Sequence, residues 1–262
     1  MNISFKNTVT LVTGGANGIG KAVSQTFNTL GAQVAIFDRD ETAATQTATE
    51  LSKLGHVPLV IVGDVSNAAD CRQAVDRVVE QFGRLDVLVN CAGISKPIPS
   101  VEMPIEDWDS IIAVDLNGVF YFSQAAARQM IKQKSGNIVS ISSISAALGF
   151  PMRAPYCAAK AAVEALTRVL ASEWAIHNIR VNAVAPGYIM TELVSKNVER
   201  GVVDLKSVEQ RTPLGRLGQP EEIASVIAMI VSEYGAYITG ETIYVDGGYT
   251  ASAAAESSSH AY

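Results

Sequence analysis

Cysteine and histidine are scarce in this chain. Three of each stand among 262 residues: Cys71, Cys91 and Cys157, and His56, His177 and His260. The cysteines form no spaced motif and the histidines lie far apart. Neither a disulfide framework nor a metal site is therefore expected, and a reduced, cytoplasmic setting fits best. Cations are short as well. Lys and Arg number 20 against 26 Asp and Glu, a net charge of -6. With no surplus to displace phosphate counterions, nucleic acid is excluded as the main partner. No apolar run reaches about 18 residues, so no membrane span is expected. The first ten residues carry one Lys and no long apolar stretch, which excludes a signal peptide. Charged residues amount to 18% and hydrophobic ones to 48%, which excludes disorder over most of the length and supplies a large core.

Short β-branched runs alternate with longer segments of helical periodicity. The runs at 9–13, 33–37, 57–62, 87–90, 137–142, 180–185 and 242–245 read as strands, several of them apolar throughout, as in Val34-Ala35-Ile36-Phe37. Continuous apolarity is the mark of strands buried on both faces. Segments 19–30, 41–54, 68–82, 108–132, 156–177 and 221–232 read as helices. Strand and helix in alternation predict right-handed crossovers and an α/β parallel sheet covered on both sides. There is no linker and no internal repeat. Residues 191–219 make one long connection, of the kind that serves as a functional lid. The Ala/Ser-rich tail, 251–262, reads as a frayed end or as an arm that orders on a partner subunit.

The first strand runs into Thr13-Gly14-Gly15-Ala16-Asn17-Gly18-Ile19-Gly20 and then into a helix. Glycines there let the backbone turn tightly and approach a ligand, and the helix N-terminus offers free N–H groups to a pyrophosphate. Asp38 ends the second strand, where a carboxylate would accept hydrogen bonds from an adenosine ribose. Asp64 and Val65 follow the third strand, and Asn90-Cys91-Ala92-Gly93 the fourth. Further along, Tyr156 and Lys160 share a helix face, being four residues apart, and a nearby cation favours a phenolate. Ser142 and Ser143 end the fifth strand, where a hydroxyl would hold a substrate oxygen.

Together these residues resemble the classical short-chain dehydrogenase/reductase family over almost the whole chain. Thr13 to Gly20 matches its TGxxxGIG motif, Asn90 to Gly93 is similar to its NNAG motif with Cys in the second place, and Pro186-Gly187 with Thr191 looks like its PGxxxT element. Asn117, Ser143, Tyr156 and Lys160 fall at its catalytic tetrad, and the spacing to Tyr156 selects Ser143 over Ser142. The resemblance implies a single Rossmann-type doubly wound domain, 1–250, with a seven-stranded parallel sheet. It implies hydride transfer between a nicotinamide and an alcohol or carbonyl carbon. Tyr156 would be the general acid or base and Lys160 would bind the nicotinamide ribose and make the phenol more acidic. Ser143 would orient the substrate oxygen, and Asn117 would support a proton-relaying water. Cofactor contacts are expected from Gly14, Asn17, Gly18, Ile19, Gly20, Asp38, Arg39, Asp64, Val65, Asn90, Ala92, Gly93, Tyr156, Lys160, Pro186, Gly187, Ile189 and Thr191.

The negative charge of Asp38 repels a 2′-phosphate, which points to NAD rather than NADP; Arg39 opposes that preference and is outweighed. Ser143, Ser145, Met152, Arg153, Tyr156 and Tyr188 are candidates for substrate contact. Their mixed polarity suits a small polyol, sugar or hydroxy-ketone. Two alternatives stand beside it: a 3-oxoacyl-thioester reductase, for which Lys132 and Lys134 are candidate carrier-protein contacts, and a nicotinamide-binding regulator without activity. Ala125, Ala126, Ala161, Ala162 and Leu166 spread over more than one helix face, and with the resemblance they imply a homotetramer.

Overall fold

In the computed structural model, residues 3–199, 201 and 203–252 are described. Most of the Ala/Ser-rich tail lies outside them. The strands are β1 (Val9–Thr13), β2 (Gln33–Asp38), β3 (Leu59–Val62), β4 (Val87–Asn90), β5 (Gly136–Ile141), β6 (Ile179–Pro186) and β7 (Thr242–Val245). All pair in parallel, in the order β3-β2-β1-β4-β5-β6-β7. The helices are α1 (Gly18–Thr29), α2 (Glu41–Leu51), α3 (Ala68–Phe82), α4 (Ile105–Ile112), α5 (Gly118–Gln133), α6 (Ala154–Trp174), α7 (Glu192–Glu199), α8 (Leu205–Arg211) and α9 (Pro220–Val231).

Period-two alternation along the strands sorts the core into two halves. Val12, Ile36, Val89, Val139 and Val184 meet Phe27 of α1 and Ile223 and Ile227 of α9 on one face. Leu11, Ala35, Leu88, Ile138 and Val181 meet Val75 and Val78 of α3, Phe122 of α5 and Leu170 of α6 on the other. Both faces are apolar because both are covered, and this is why the strand sequences do not alternate with polar residues. Local chemistry ends the helices. Asp40 accepts from the Ala43 N–H at the start of α2, Asn67 caps α3, and Gly83 closes it with φ +78°. Pro220 occupies the first turn of α9, where the Glu222 carboxylate accepts from the Gln219 N–H.

Three expectations change in the structure. The helix expected over 108–132 starts earlier, at Ile105, and is interrupted by a π-helical turn, Ala113–Asn117, in which the Gly118 N–H reaches the Ala113 carbonyl. Apolar periodicity runs on through that turn, so it leaves no mark in the sequence. The helix expected over 156–177 begins at Ala154 with Pro155 in its first turn, and passes at Ala175–His177 into a 3-10 turn. Ala125 and Ala126 belong to this chain's own core, whereas Phe120, Ala161 and Val169 are exposed. The long connection holds α7 and α8.

Phe122 is fully buried, with its ring edge-on to Phe37 at 4.8 Å. Phe122→Ala is expected to cost about 3–5 kcal/mol, read from the urea midpoint. Val101→Ala, at a side chain 95% exposed, should stay within about 0.5 kcal/mol. Equal, small shifts for both would show that this ring does not anchor the core.

Candidate active site

The strand order reverses between β1 and β4, and there a cleft of about 610 Å³ opens at the carboxyl edge of the sheet. This is where open α/β sheets place ligands. Its walls include Gly14, Asn17 and Gly18 after β1, Asp38 and Arg39 after β2, and Asp64 and Val65 after β3. Ala92 and Gly93 after β4, and Thr191 after β6, are the other expected residues in the lining. Gly14 has φ +62°, and a Cβ on it would stand 2.8 Å from the Ala92 Cα. That close approach brings the β1 and β4 loops together and requires glycine. Asn17 precedes α1 without a side-chain cap, and the first turn of α1 carries no acid. The positive end of the helix therefore faces the cleft with its N–H groups unclaimed by side chains. The Asp38 carboxylate is fixed by two backbone donors, Ala16 N–H and Asp40 N–H, each at 3.1 Å.

Other expected residues stand behind these walls. Ile19 packs against the core, and Gly20 packs against the Gly14 carbonyl. The Asn90 side chain turns inward and braces Ser123 at 3.2 Å and Ser140 at 3.1 Å. Pro186 and Ile189 are buried, and Gly187 abuts Asp246. These residues shape the cleft from within. Lining residues absent from the sequence-based set include Cys91, and Glu192 and Lys196 of α7. Glu192 follows Thr191 directly and Lys196 lies one turn on, and only the helical start there could have signalled them.

Beside Gly93, the carboxyl ends of β4 and β5 meet α6. Lys160 is 3% exposed. Its ammonium donates to the Ile141 carbonyl at 3.0 Å and lies 5.4 Å from the centre of the Tyr156 ring. Asp115, fully buried in the π turn, sets its Oδ2 3.3 Å from Lys160 Nζ and accepts from the Ile94 N–H on Oδ1 at 2.8 Å. A Cβ on Gly93 would stand 3.0 Å from that Oδ2 and 3.5 Å from Nζ, a tight fit beside the pair. Burial pulls the Lys160 ammonium down, but the Asp115 carboxylate and the Tyr156 phenol outweigh it and hold it above its ordinary value. Burial pushes the Asp115 carboxyl up, against Lys160 and the Ile94 N–H. A lysine held up in this way stays charged. Burial also pushes the Cys91 thiol up to about 12, against the pull of Lys160, so it is no nucleophile at neutral pH.

The two serines part company. The Ser142 hydroxyl lies 3.0 Å from Glu164 and 3.3 Å from the Lys160 carbonyl, on the helix side. Ser143 caps the 3-10 turn Ile144–Ala146, where its hydroxyl accepts from the Ser145 N–H at 3.1 Å. The resemblance gives a tetrad place to Asn117, yet the side chain brought to Lys160 is that of Asp115, two residues earlier. Asn117 ends the π turn, and no side-chain hydrogen bond ties it to Lys160 or Tyr156 among the described residues. Two residues apart on one helical turn, the two side chains point to different sides.

Three rings cluster near the carboxyl ends of β5, β6 and β7. Phe150 lies 6.5 Å from Tyr188 and 6.4 Å from Tyr249, and Tyr188 lies 5.6 Å from Tyr249. The Arg211 guanidinium covers Tyr249 at 4.4 Å. Met152 takes φ +66°, and its carbonyl accepts from the Ile98 N–H at 2.9 Å, tying the loop after β4 to the start of α6. Arg153 donates its own N–H to the Phe150 carbonyl at 3.3 Å. Among the described residues no group of His, Cys, Asp and Glu is arranged to hold a metal, and no helix is long and apolar enough to cross a membrane.

The cleft suits a dinucleotide. It is elongated along the loops after β1, β2 and β3, glycine-lined where a pyrophosphate would meet α1, and ends beside a buried cation. Comparison with known proteins agrees. Residues 14–250 match the family model described as enoyl-(acyl carrier protein) reductase. A 3-oxoacyl-acyl-carrier-protein reductase FabG from Thermotoga maritima is 41% identical, covering 92% of this chain and 96% of its own. A D-threitol dehydrogenase from Mycolicibacterium smegmatis is 36% identical and covers 92% of each chain. The crystal structure of gox2181 superposes with a TM-score of 0.92 at 40% identity, covering 96% of this chain and 98% of that one. A short-chain type dehydrogenase/reductase from Mycobacterium marinum does so with 0.90 at 36%, covering 95% and 98%. With its parallel sheet, its glycine loop and its Tyr156–Lys160 pair matched over that length, this chain belongs to the classical short-chain dehydrogenase/reductase family.

Proposed function

We propose that this protein is an NAD(H)-dependent oxidoreductase that interconverts a small alcohol and its carbonyl, with residues 191–219 as a lid over the cleft. The observation that carries this reading is a charged lysine buried beside Tyr156, at the end of a glycine-lined cleft. The nicotinamide, when bound, supplies the hydride chemistry. Every other function falls to the chain. The loop 14–20 and the N-terminus of α1 hold the pyrophosphate, and Asp38 the adenosine ribose. Lys160 lends positive charge to the Tyr156 oxygen, which takes the proton of the alcohol or returns it to the carbonyl. Ser143 orients the substrate oxygen. Burial of Lys160 keeps bulk water from dispersing its field.

The substrate class rests on the three-ring cluster, taken as one wall of the substrate site. Phe150, Tyr188 and Tyr249 offer apolar surface, while Ser143, Ser145, Arg153 and Arg211 offer hydrogen bonds. That mixture supports a small polyol, sugar or hydroxy-ketone, and a relative named D-threitol dehydrogenase is in keeping with it. A second reading, 3-oxoacyl-thioester reduction, is supported by relatives named for it at 41% and 38% identity. Against it, Lys132 and Lys134 lie at the end of α5 that leads into β5, the edge of the sheet opposite the cleft of the same protomer. The exposed Phe120 and Val169 on α5 and α6, together with Leu214 and Tyr237 elsewhere, favour a homotetramer.

Purified protein should turn over members of a polyol, sugar and short-ketone panel faster than a 3-oxoacyl thioester. Tyr156→Phe should abolish turnover while leaving cofactor affinity nearly intact, and Lys160→Ala should damage both. If Tyr156→Phe keeps more than about a tenth of the rate, acid–base catalysis by Tyr156 is the wrong assignment. The cofactor is decided by kcat/KM with NAD and with NADP. A preference for NAD of about tenfold or more is expected, needing only about 1.4 kcal/mol. Asp38→Ala should narrow or reverse it, and equal values in the unmodified protein would place Asp38 away from the ribose. Sedimentation at micromolar concentration should give a tetramer, and a sole monomeric species would remove that part of the proposal.

A further inference from the structure

Among the described residues, the cleft lining carries four carboxylates, those of Asp38, Asp40, Asp64 and Glu192, against two cations, Arg39 and Lys196. A dinucleotide brings two further negative charges, on its diphosphate, into that acidic lining. Three of the carboxylates are held by their own loops. Asp38 accepts from two backbone N–H groups, Asp40 accepts from the Ala43 N–H at 3.0 Å, and Asp64 accepts from the N–H and the hydroxyl of Ser66, each at 2.8 Å. Glu192 is held differently. Its carboxylate accepts from the Lys196 ammonium at 2.5 Å, one turn along α7, and from no other side chain among the described residues.

The cations differ as well. Arg39 follows Asp38, on the side of the cleft assigned to the adenosine ribose. Lys21 of α1 is outside the lining and pairs with Glu50 of α2 at 2.6 Å. Lys196 comes instead from α7, whose approach lies against the start of α1: a Cβ on Gly18 would stand 3.3 Å from the Thr191 Cγ2. That is the place where a diphosphate would meet the helix N-terminus.

The Lys196 and Glu192 side chains are 55% and 72% exposed. An exposed pair at this spacing is weak and exchanges readily. A diphosphate offers two charges and several acceptor oxygens where Glu192 offers one charge. We propose that Lys196 is a cofactor-binding residue held in reserve by Glu192: it leaves the carboxylate for the diphosphate of the dinucleotide, and so fastens α7 to the cleft. Glu192, once released, turns its charge to water. The inference rests on the assignment of the cleft to a nicotinamide dinucleotide made above.

Binding of NADH to the purified protein, followed by its fluorescence, reads the exchange directly. Lys196→Gln should raise Kd about three- to tenfold, and Lys196→Arg should keep it near the unmodified value. Glu192→Gln removes the competitor and leaves Lys196 in place, so Kd should fall about twofold. Salt screens the contact, so raising it from about 50 to 500 mM should weaken binding more in the unmodified protein than in Lys196→Gln. Backbone hydrogen exchange over 192–199 gives a second readout: saturating NADH should slow it in the unmodified protein and much less in Lys196→Gln. An unchanged Kd in Lys196→Gln overturns the inference, and so does a loss that salt leaves undiminished. A Glu192→Gln protein that binds no tighter overturns the exchange. Thermal midpoints without cofactor should coincide, and a midpoint lowered by several degrees in Lys196→Gln marks a structural role and overturns the inference equally. If the unmodified protein binds neither NADH nor NADPH, the assignment of the cleft itself has failed. If it binds and the Lys196 variants match it, only the role of Lys196 has failed.

Discussion

A parallel sheet has to be covered on both faces, and the rest of this molecule follows from that requirement. Each strand is followed by a crossover that lays a helix on one face or the other, and the crossovers turn in one hand. Growth in one direction from β1 gives β2 and β3; growth in the other gives β4 to β7. Where the directions part, no connection crosses the carboxyl edge, and a crevice is left between the loops after β1 and β4. The cleft is thus a by-product of covering the sheet. Its lining is furnished by whatever residues follow the strands, here glycines after β1, an acid after β2 and small residues after β4.

Into that crevice the fold delivers a charge it has to neutralise. A lysine as deeply buried as Lys160 carries a large desolvation penalty, and the Ile141 carbonyl alone does not offset it. The π turn between α4 and α5 brings in the compensating carboxylate. Because an isolated buried ion costs more than a buried pair, the two residues stand or fall together. The irregular turn is therefore part of the same electrostatic solution as the lysine, although it belongs to a different element.

Much of this could be read from the sequence. The strands announced themselves as unbroken apolar runs, since burial on both faces removes the polar half of the usual alternation. The glycine loop and Asp38 were legible because strand, turn and helix follow one another within a few residues. Tyr156 and Lys160 were legible because spacing by four fixes a shared helix face. Asp115 was not. The local pattern Val114-Asp115-Leu116-Asn117 gives no sign of an i to i+5 hydrogen bond, so helical geometry alone could not say which polar side chain would face α6. The direction of the Asn90 side chain is hidden for a related reason: a strand end gives the position, while the pleat turns the side chain inward to Ser123 and Ser140. Backbone periodicity predicts faces well only while the helix or strand stays regular.

The three-ring wall has a bearing on how this protein could be altered. Phe150, Tyr188 and Tyr249 come from the loops after β5, β6 and β7, and Arg211 from the end of α8. Four separate stretches of chain thus share one set of contacts. Residues in mutual contact do not contribute independently, and their interaction energies reach about 0.5–3 kcal/mol. A change at any one ring is transmitted to the seats of the other two and to the guanidinium lying on Tyr249. Re-engineering of substrate choice at this wall would have to proceed by combinatorial replacement of the whole group, since libraries built one position at a time would sample mostly mismatched neighbours.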